Sequence, residues 1–221
     1  MSVAAELPGD VLQRLRATTG PGRVQHLVPV PPELAGLLPE GGLRPGAAYS
    51  VTGGALLLAL LAEPSAAGSW CGVVGIPELG AEAARSAGVS LERLALVPEP
   101  GERWLSVVAA LAEVLPVVAV RPSTRVREAD AARLGARLRE RSAVLLVCGD
   151  WPRVEASIGL RQARWEGLGQ GHGLLTGREV EVTVTTRRTP LPQATRLWLP
   201  DRAGRLSAAM PTPPTKLRAV G

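Results

Sequence analysis

Short stretches rich in apolar residues alternate with longer amphipathic stretches along the first two thirds of this chain. The short stretches have the character of strands buried on both faces of a sheet, and they cover residues 47–52, 70–76, 94–97, 117–120 and 143–147. The longer stretches are predicted to be helices, and they cover residues 55–62, 78–87, 102–115 and 127–140. This alternation predicts an α/β fold, a mostly parallel sheet flanked by helices on both faces.

The pattern changes after residue 150, where polar and apolar residues begin to alternate. Residues 156–165 and 178–187 predict two antiparallel strands joined by a glycine-rich loop over residues 167–177, and residues 195–199 predict a last strand. Ahead of the first buried strand, residues 24–30 predict a strand and residues 33–38 a short helix. These patterns divide the chain into an N-terminal helix and linker (1–23), one core (24–200) and a tail predicted to be disordered (201–221).

The segment over residues 41–63 has the order of a nucleotide-binding unit: a glycine-rich turn, a strand, a second glycine turn and an apolar helix. A phosphate-binding loop ends in Gly-Lys-Ser/Thr, because backbone N–H groups and the lysine hold the phosphates while the hydroxyl binds Mg²⁺. Here the second turn is only Gly53 and Gly54, and it runs directly into Ala55 and Leu56. The one lysine of the chain, Lys216, lies in the predicted tail, so we expect no ATP-Mg to be held at this turn.

The charge balance is basic, with a formal net charge of +5, which is typical of proteins with an anionic partner. All basic residues except Lys216 are arginines, and alanine, glycine and proline are frequent, as a GC-rich coding sequence would also produce. Aromatic residues make up 3% of the chain and include no phenylalanine. The sequence is therefore poorly supplied with stacking platforms for single-stranded nucleic acid.

Neither the cysteines nor the histidines form a recognisable chemical site. Cys71 and Cys148 lie in apolar stretches, which favours free buried thiols over a disulfide, and their spacing is not that of a zinc site. His26 and His172 have no partner at metal-binding or nucleophile-activating spacing, so we expect no metal and no catalytic residue. The start of the chain lacks the pattern of a signal peptide, and the apolar run over residues 55–62 is far shorter than the roughly 20 residues of a membrane helix. A cytoplasmic location without membrane contact is expected.

The pieces of residues 24–188 occur in the order of a RecA-type ATPase core, which this part of the chain resembles. The similar pieces are the GGLRPG turn, the WCGVVGIPELG strand with its acidic residue, the AGVSLERLALV segment and the closing antiparallel strands. The resemblance implies that Gly53 and Gly54 stand at the phosphate-loop position, Glu78 near the water-activating glutamate, and Arg121 where the family has an Mg²⁺-binding aspartate. We therefore expect neither ATP hydrolysis nor a cofactor, and the short loops after residues 120 and 147 argue against a recombinase filament.

A RecA-like core with degenerate ATPase motifs, short DNA loops and a basic, proline-rich C-terminal extension resembles the ImuA family of bacterial mutasome accessory proteins, above all its actinobacterial members. The LWLP segment, residues 197–200, adds to the likeness. The resemblance implies a non-catalytic adaptor in SOS-induced, error-prone translesion DNA synthesis. The implied direct partner is an ImuB-type Y-family polymerase homologue. A C-family translesion polymerase and RecA are implied as further partners.

Nine residues are candidates for contact with a partner or with DNA, and they are Arg121, Arg125, Arg127, Arg133, Arg137, Arg141, Arg187, Arg188 and Trp198. The first three cluster at the carboxyl end of a predicted strand, where open α/β sheets bind ligands; a plain loop is the alternative. The next three recur every four residues on one helix face. They form either a basic strip that contacts phosphates or an acidic partner, or a solvent-exposed face whose charge is reduced by neighbouring carboxylates. The last three belong either to a segment that orders on binding a partner or to a last strand followed by disorder.

Two other functions fit the same patterns. A RecA-like protein that binds nucleotide or single-stranded DNA directly would use its arginines for contact, and micromolar affinity for ATP would distinguish it. An SOS-linked cell-division inhibitor would change filamentation without any polymerase partner. The sequence alone leaves both alternatives open.

Overall fold

The computed structural model describes residues 26–167, 175–187 and 191–209, together with Gln13. The predicted N-terminal helix and linker (1–23) lie outside the described residues apart from Gln13. The centre of the predicted glycine-rich loop (168–174) and residues 210–221 of the predicted tail lie outside them as well, as does Arg188.

Within this part of the chain, nine strands form one mixed sheet. In chain order they are β1 (Ala48–Val51), β2 (Cys71–Val74), β3 (Leu94–Val97), β4 (Val117–Val120), β5 (Val144–Val147), β6 (Ala156–Glu166), β7 (Gly177–Thr186), β8 (Gln193–Trp198) and β9 (Ser207–Ala208). Their order across the sheet is β3-β2-β4-β5-β1-β6-β7-β8-β9. Neighbouring strands are parallel from β3 to β6 and antiparallel from β6 to β9. The α/β class, the mostly parallel sheet and the antiparallel strands toward the C-terminus are thus confirmed.

Helices cover both faces of the parallel part, as crossovers between parallel strands require. In chain order the α-helices of the described residues are α1 (Pro32–Ala35), α2 (Gly54–Ala66), α3 (Ala81–Ala87), α4 (Trp104–Ala112) and α5 (Glu128–Arg141). Alternate residues of one strand point to different layers: Val118 packs with α4 and α5, whereas Val117 packs in the cluster that contains α2. The core therefore consists of two layers, one on each face of the sheet.

Helix α2 is buried on nearly all sides, and it extends further than the sequence predicted. Its leucines Leu56, Leu57, Leu60 and Leu61 are at most 1% exposed, and burying one leucine stabilises a fold by about 1.5–3 kcal/mol. The helix was expected to end at residue 62, yet it continues through Pro64. A proline near the end of a helix removes one hydrogen bond, and here the buried last turn is held by a hydrogen bond from the Ser90 N–H to the Ser65 hydroxyl, 2.9 Å.

Two further expectations differ from the structure. The strand predicted over residues 24–30 is, in its described part, a single antiparallel bridge between Val28 and Leu43. Pro29 follows Val28 directly and has no N–H to donate to a neighbouring strand. Ser207–Ala208, which were assigned to the tail, form β9 and pair with Leu197 and Trp198.

Strands β6 and β7 are longer than the other strands, and their hairpin extends beyond the carboxyl ends of the parallel strands. Strand β6 pairs with β1 only over Ala156 to Ile158, while its pairing with β7 continues to Glu166. A register shift after Arg161, with Gln162 at a φ of 48°, bends the upper half of β6. The hairpin thus forms a wall beside the carboxyl ends of the parallel strands.

Candidate functional site at the carboxyl edge of the sheet

The turn between β1 and α2 is short and exposed, and one side of it contacts β6. Gly53 has a φ of 103°, and a Cβ placed on it would lie 2.9 Å from Cδ1 of Leu160, so the β6 side chain rests directly against the turn. The carbonyl of Gly53 accepts the hydrogen bond that starts α2, from the Leu57 N–H at 3.1 Å. The predicted short glycine turn is confirmed. The contact with Leu160 was not predicted, because hydrophobic periodicity does not show which residues of distant segments meet.

An ion pair between Glu78 and Arg121 bridges the carboxyl ends of β2 and β4. The two strands approach closely there: the Arg121 N–H donates to the Val74 carbonyl at 3.0 Å, and a Cβ on Gly75 would lie only 2.6 Å from the Arg121 carbonyl oxygen. The pKa of the Glu78 carboxyl is lowered, first by a hydrogen bond from its own backbone N–H and then by the guanidinium of Arg121. Glu78 is therefore held ionised, and its carboxylate is engaged by a cation of the chain itself.

The carboxyl end of β5 joins the same edge. The Ser50 hydroxyl donates to the Gly149 carbonyl at 2.9 Å, which connects β1 to the loop after β5. Cys148 is a free, half-buried thiol. Burial raises the pKa of this thiol, Arg121 opposes the shift and Glu78 adds to it. The thiol is thus predominantly protonated at neutral pH and is a weak nucleophile.

The predicted cluster of three arginines after β4 is only partly formed. Arg121 is engaged by Glu78, whereas Arg125 and Arg127 are exposed along the following loop. This loop is held to α4 by a hydrogen bond from the Trp104 indole N–H to the Thr124 hydroxyl at 3.3 Å. The structure therefore brings one arginine of the cluster into the sheet edge and leaves the other two in solvent.

Helix α5 has the two faces that the sequence predicts. Its buried stripe consists of Ala131, Leu134 and Leu138, which are at most 7% exposed, and Gly135 beside them is half-buried. The arginine strip lies on the outside, and carboxylates contact two of its three members. Arg133 pairs with Asp130 at 3.7 Å, and Arg141 pairs with Glu113 of the α4–β4 loop at 2.7 Å. Arg137 is exposed, so the strip offers less positive charge than the sequence alone indicates.

The C-terminal candidates lie apart from this edge. Arg187 is exposed just after β7. Trp198 is half-buried in β8, and a Cβ on Gly177 would lie 3.2 Å from its ring, so the indole packs onto β7. Sequence reasoning missed a second aromatic contact at the top of the hairpin: the Arg178 guanidinium carbon lies 5.3 Å from the ring centroid of Trp165, which is 47% exposed.

In the part of the chain that the structure describes, no group of three or more histidine, cysteine or acidic side chains has the arrangement of a metal site. None of the helices there has the length and apolar character needed to cross a bilayer.

The fold and this edge define a class: an α/β protein with a short glycine turn that contacts β6 and an ion pair across the neighbouring strand ends. Residues 36–153 match the family model described as the MT3502 N-terminal domain. The match covers more than half of the chain, from the end of the α1 turn to the loop before β6, and the chain belongs to this family. It is also similar to the uncharacterized protein Rv3395c of Mycobacterium tuberculosis, with 34% identity over 154 residues, 68% of this chain and 72% of that protein.

Proposed function

We propose that this protein is a non-catalytic, RecA-like adaptor of the ImuA kind in SOS-induced, error-prone translesion DNA synthesis. In this role it binds an ImuB-type Y-family polymerase homologue, which connects it to a C-family translesion polymerase. The sequence resemblance to the RecA-type core supports the proposal, as does a mostly parallel sheet that continues into antiparallel strands.

The turn after β1 is the observation that carries the non-catalytic part of the proposal. A phosphate site at a helix N-terminus needs accessible backbone N–H groups and usually a cation. Here Leu160 lies against one side of Gly53, and the exposed glycines lead into Ala55 and Leu56 without supplying a cation. The turn thus supplies a contact for β6 and no side chain of the kind that holds phosphates.

The ion pair at the neighbouring strand ends supports the same conclusion. A carboxylate that activates water must accept a proton, and the contact with Arg121 lowers the proton affinity of Glu78. The guanidinium also places a fixed positive charge where a divalent cation would need anionic ligands. The pair therefore suits a structural role for this edge better than phosphoryl transfer.

Calorimetric titration with Mg²⁺-ATP and Mg²⁺-ADP tests the non-catalytic part. We expect no saturable heat in the micromolar range and no ATP hydrolysis above background. Glu78→Gln is the matched control, since hydrolysis that persists unchanged in this variant comes from a contaminating enzyme. Micromolar ATP affinity, or hydrolysis that Glu78→Gln removes, contradicts the proposal.

Binding to the purified ImuB-type homologue of the same genome tests the adaptor part. We propose the face with the antiparallel strands as the contact surface, because Trp165 is exposed there and a large, partly exposed tryptophan is a common interface anchor. Trp165→Ala is expected to weaken the complex. Leu96→Ala is the matched control, since Leu96 is similarly exposed, at 43%, but lies on β3 at the opposite end of the sheet.

The role of the tail is tested by shortening the chain after Ala209. A chain that ended near Arg187 would lose β8, and with it the buried Leu197 and Leu199, so lost binding would report unfolding. If the chain ending at Ala209 and the full chain bind the homologue equally, the contact lies in the sheet. Absence of binding by the full chain, in calorimetry and in sedimentation, overturns the adaptor proposal.

Direct binding of single-stranded DNA is less well supported, because carboxylates contact Arg121, Arg133 and Arg141. Exposed ion pairs of this kind contribute about 0–1 kcal/mol, so DNA could displace them, and an experiment decides. If all three α5 arginines contacted phosphates, replacing them with glutamine would reduce the log–log salt slope of binding by roughly 2–3. Under the adaptor proposal we expect no such change.

A further inference from the structure

A groove of about 550 Å³ lies on the outer side of α2 and is separate from the carboxyl edge. Its floor is formed by α2 and α3, and its walls by Pro31 and Pro32 on one side and the turn after β8 on the other. Leu58, Ala62, Ala83 and Leu199 give it an apolar lining. We call it the α2–α3 groove.

The rim of the groove carries two carboxylates, Glu33 and Glu63, and one guanidinium, Arg205. Both carboxylates are half-buried, and the ion pairs found in the described part of the chain do not include either of them. A half-buried carboxylate gains stability when a cation approaches it. The groove therefore fits an apolar occupant flanked by positive charge.

The N-terminal segment of the same chain has this character. At about 100° per residue in a helix, Val11, Leu12 and Leu15 of residues 10–17 share one face. Arg14 and Arg16 fall on the two flanks of that face, and Gln13 falls opposite it. Gln13 is the one residue of this segment that the structure describes, and it is helical and exposed.

The chain is long enough to bring this segment to the groove. His26 lies ten positions after Arg16, and at about 3.3 Å per residue this stretch spans up to roughly 33 Å. The chain then leads within five residues to Pro31, which is part of the groove wall. Eight helical residues are about 12 Å long, shorter than the 13-residue helix α2 that they would lie along.

We propose that residues 10–17 form a helix that docks in the α2–α3 groove of the same chain, with Val11, Leu12 and Leu15 in the groove and Arg14 and Arg16 beside Glu33 and Glu63. The docked helix covers the apolar surface that the groove leaves accessible at Ala62 and Ala83. This inference does not depend on the proposed function.

Cross-linking of the full chain with a short bismaleimide tests the proposal. The protein carries Val11→Cys and Ala83→Cys in a Cys148→Ser background; Ala83 is exposed on the groove side of α3, and the remaining Cys71 is buried. Tethered groups have effective concentrations in the millimolar range, so at about 1 μM protein an intrachain product is favoured over an interchain one by roughly 10³-fold. We expect a rapid intrachain cross-link.

Two matched controls give the result its meaning. Gln13→Cys in place of Val11→Cys puts the thiol on the opposite side of the helix, and Ala132→Cys in place of Ala83→Cys puts it on exposed α5, across the sheet. Both control pairs should cross-link at least tenfold more slowly than the Val11→Cys, Ala83→Cys pair. This factor is well below the roughly 10³-fold advantage of an intrachain reaction. Equal rates for all three pairs, or a product that is only interchain, overturn the proposal; the interchain product would place the segment on a second copy.

Trypsin cleavage after Arg14 and Arg16 gives an independent measurement that needs no added cysteine. A docked helix protects these bonds, because proteases cut extended and accessible chain. Leu12→Ser with Leu15→Ser removes the apolar face of the proposed helix, and we expect it to accelerate cleavage at both arginines by about tenfold or more, the factor for 1.4 kcal/mol of docking free energy. Unchanged cleavage rates contradict docking.

Discussion

At the scale of single residues, two contacts at the carboxyl edge decide what this edge can do. Gly53 has a positive φ and lies against Leu160, so the turn after β1 packs β6 against α2. Glu78 and Arg121 neutralise each other across β2 and β4. The resemblance to a RecA-type core implies that these positions correspond to those for phosphate and metal, and each contact can be tested by one substitution.

Replacement of Gly53 by alanine should destabilise the fold. A side chain at a φ of 103° is strained by about 1–3 kcal/mol, and the new Cβ would also displace Leu160. Gly54→Ala is the matched control: no atom lies within 4 Å of a Cβ at Gly54, and this residue begins α2. We expect Gly54→Ala to be neutral or to stabilise by up to about 1 kcal/mol. Urea unfolding of both variants measures the difference, and equal free energies of unfolding would show that the turn is not constrained.

The titration of Glu78 should depend on Arg121. Since the pKa of Glu78 is lowered in the folded protein, the carboxylate stabilises the fold at neutral pH, and this contribution is lost as the pH falls through the lowered pKa. In Arg121→Gln we expect the pKa of Glu78 to rise and yet to stay below its ordinary value, because the backbone N–H still donates to it. Carbon-detected NMR of the Glu78 carboxyl measures the pKa. Arg125→Gln should leave it unchanged, and a shift of equal size in that variant would contradict the specific pair.

At the scale of elements, α5 shows how one helix combines a core and a surface role. Its leucines Leu134 and Leu138 pack with α4 against the sheet, whereas its arginines lie outside and are partly paired with carboxylates. The helix begins with Glu128 and Asp130 and ends with Arg139 and Arg141, which complements its macrodipole at both ends. The fold therefore depends on one face of α5, and the other is available for a partner.

Truncation of the two faces of α5 should give different effects. Leu138→Ala removes a side chain that is 1% exposed, and such a change costs about 2–5 kcal/mol. Arg137→Ala changes an exposed position, and the free energy of unfolding should stay within about 0.5 kcal/mol of the parent. Denaturant unfolding of the two variants checks this directly. A cost for Arg137→Ala comparable with that for Leu138→Ala would mean that the arginine strip is structural.

At the scale of the whole molecule, the parallel half forms a closed, two-layered core and the antiparallel half extends from it. The family match spans the parallel half up to residue 153, while the β6–β7 hairpin and β8 lie beyond it. Val180, Val182 and Leu197 of these later strands nevertheless belong to the same buried cluster as α2. We therefore expect the two halves to unfold together.

Cys71 provides a probe of this global unfolding. It lies in β2, is fully buried, and burial raises the pKa of its thiol to about 12. We expect a thiol reagent to modify Cys71, in a Cys148→Ser background, only when the whole fold opens, so that the rate increases with urea in proportion to the unfolded fraction. In the parent protein, the half-buried Cys148 should react earlier, through local opening of the sheet edge. A rate for Cys71 that does not depend on urea would contradict a single cooperative core.

Much of the carboxyl edge was accessible from the sequence, and the missing part has a common cause. The order of the segments gave the short turn at Gly53, and the resemblance to a RecA-type core implied the positions of Glu78 and Arg121. The pairing of Glu78 with Arg121 was not identified, because the two residues lie 43 positions apart in the chain. Local periodicity carries no information about which side chains of different strands meet.

The sequence by itself determined the order and type of β1–β5 and of helices α2–α5, because strands buried on both faces and amphipathic helices leave strong local patterns. Only the tertiary structure decided that β6, the first strand of the predicted antiparallel pair, joins β1 in parallel, that α2 continues through Pro64, and that residues 207–208 complete the sheet. These outcomes depend on burial and hydrogen bonding between segments far apart in the chain. Such contacts form only when the whole core is assembled, and for this reason the sequence pattern did not contain them.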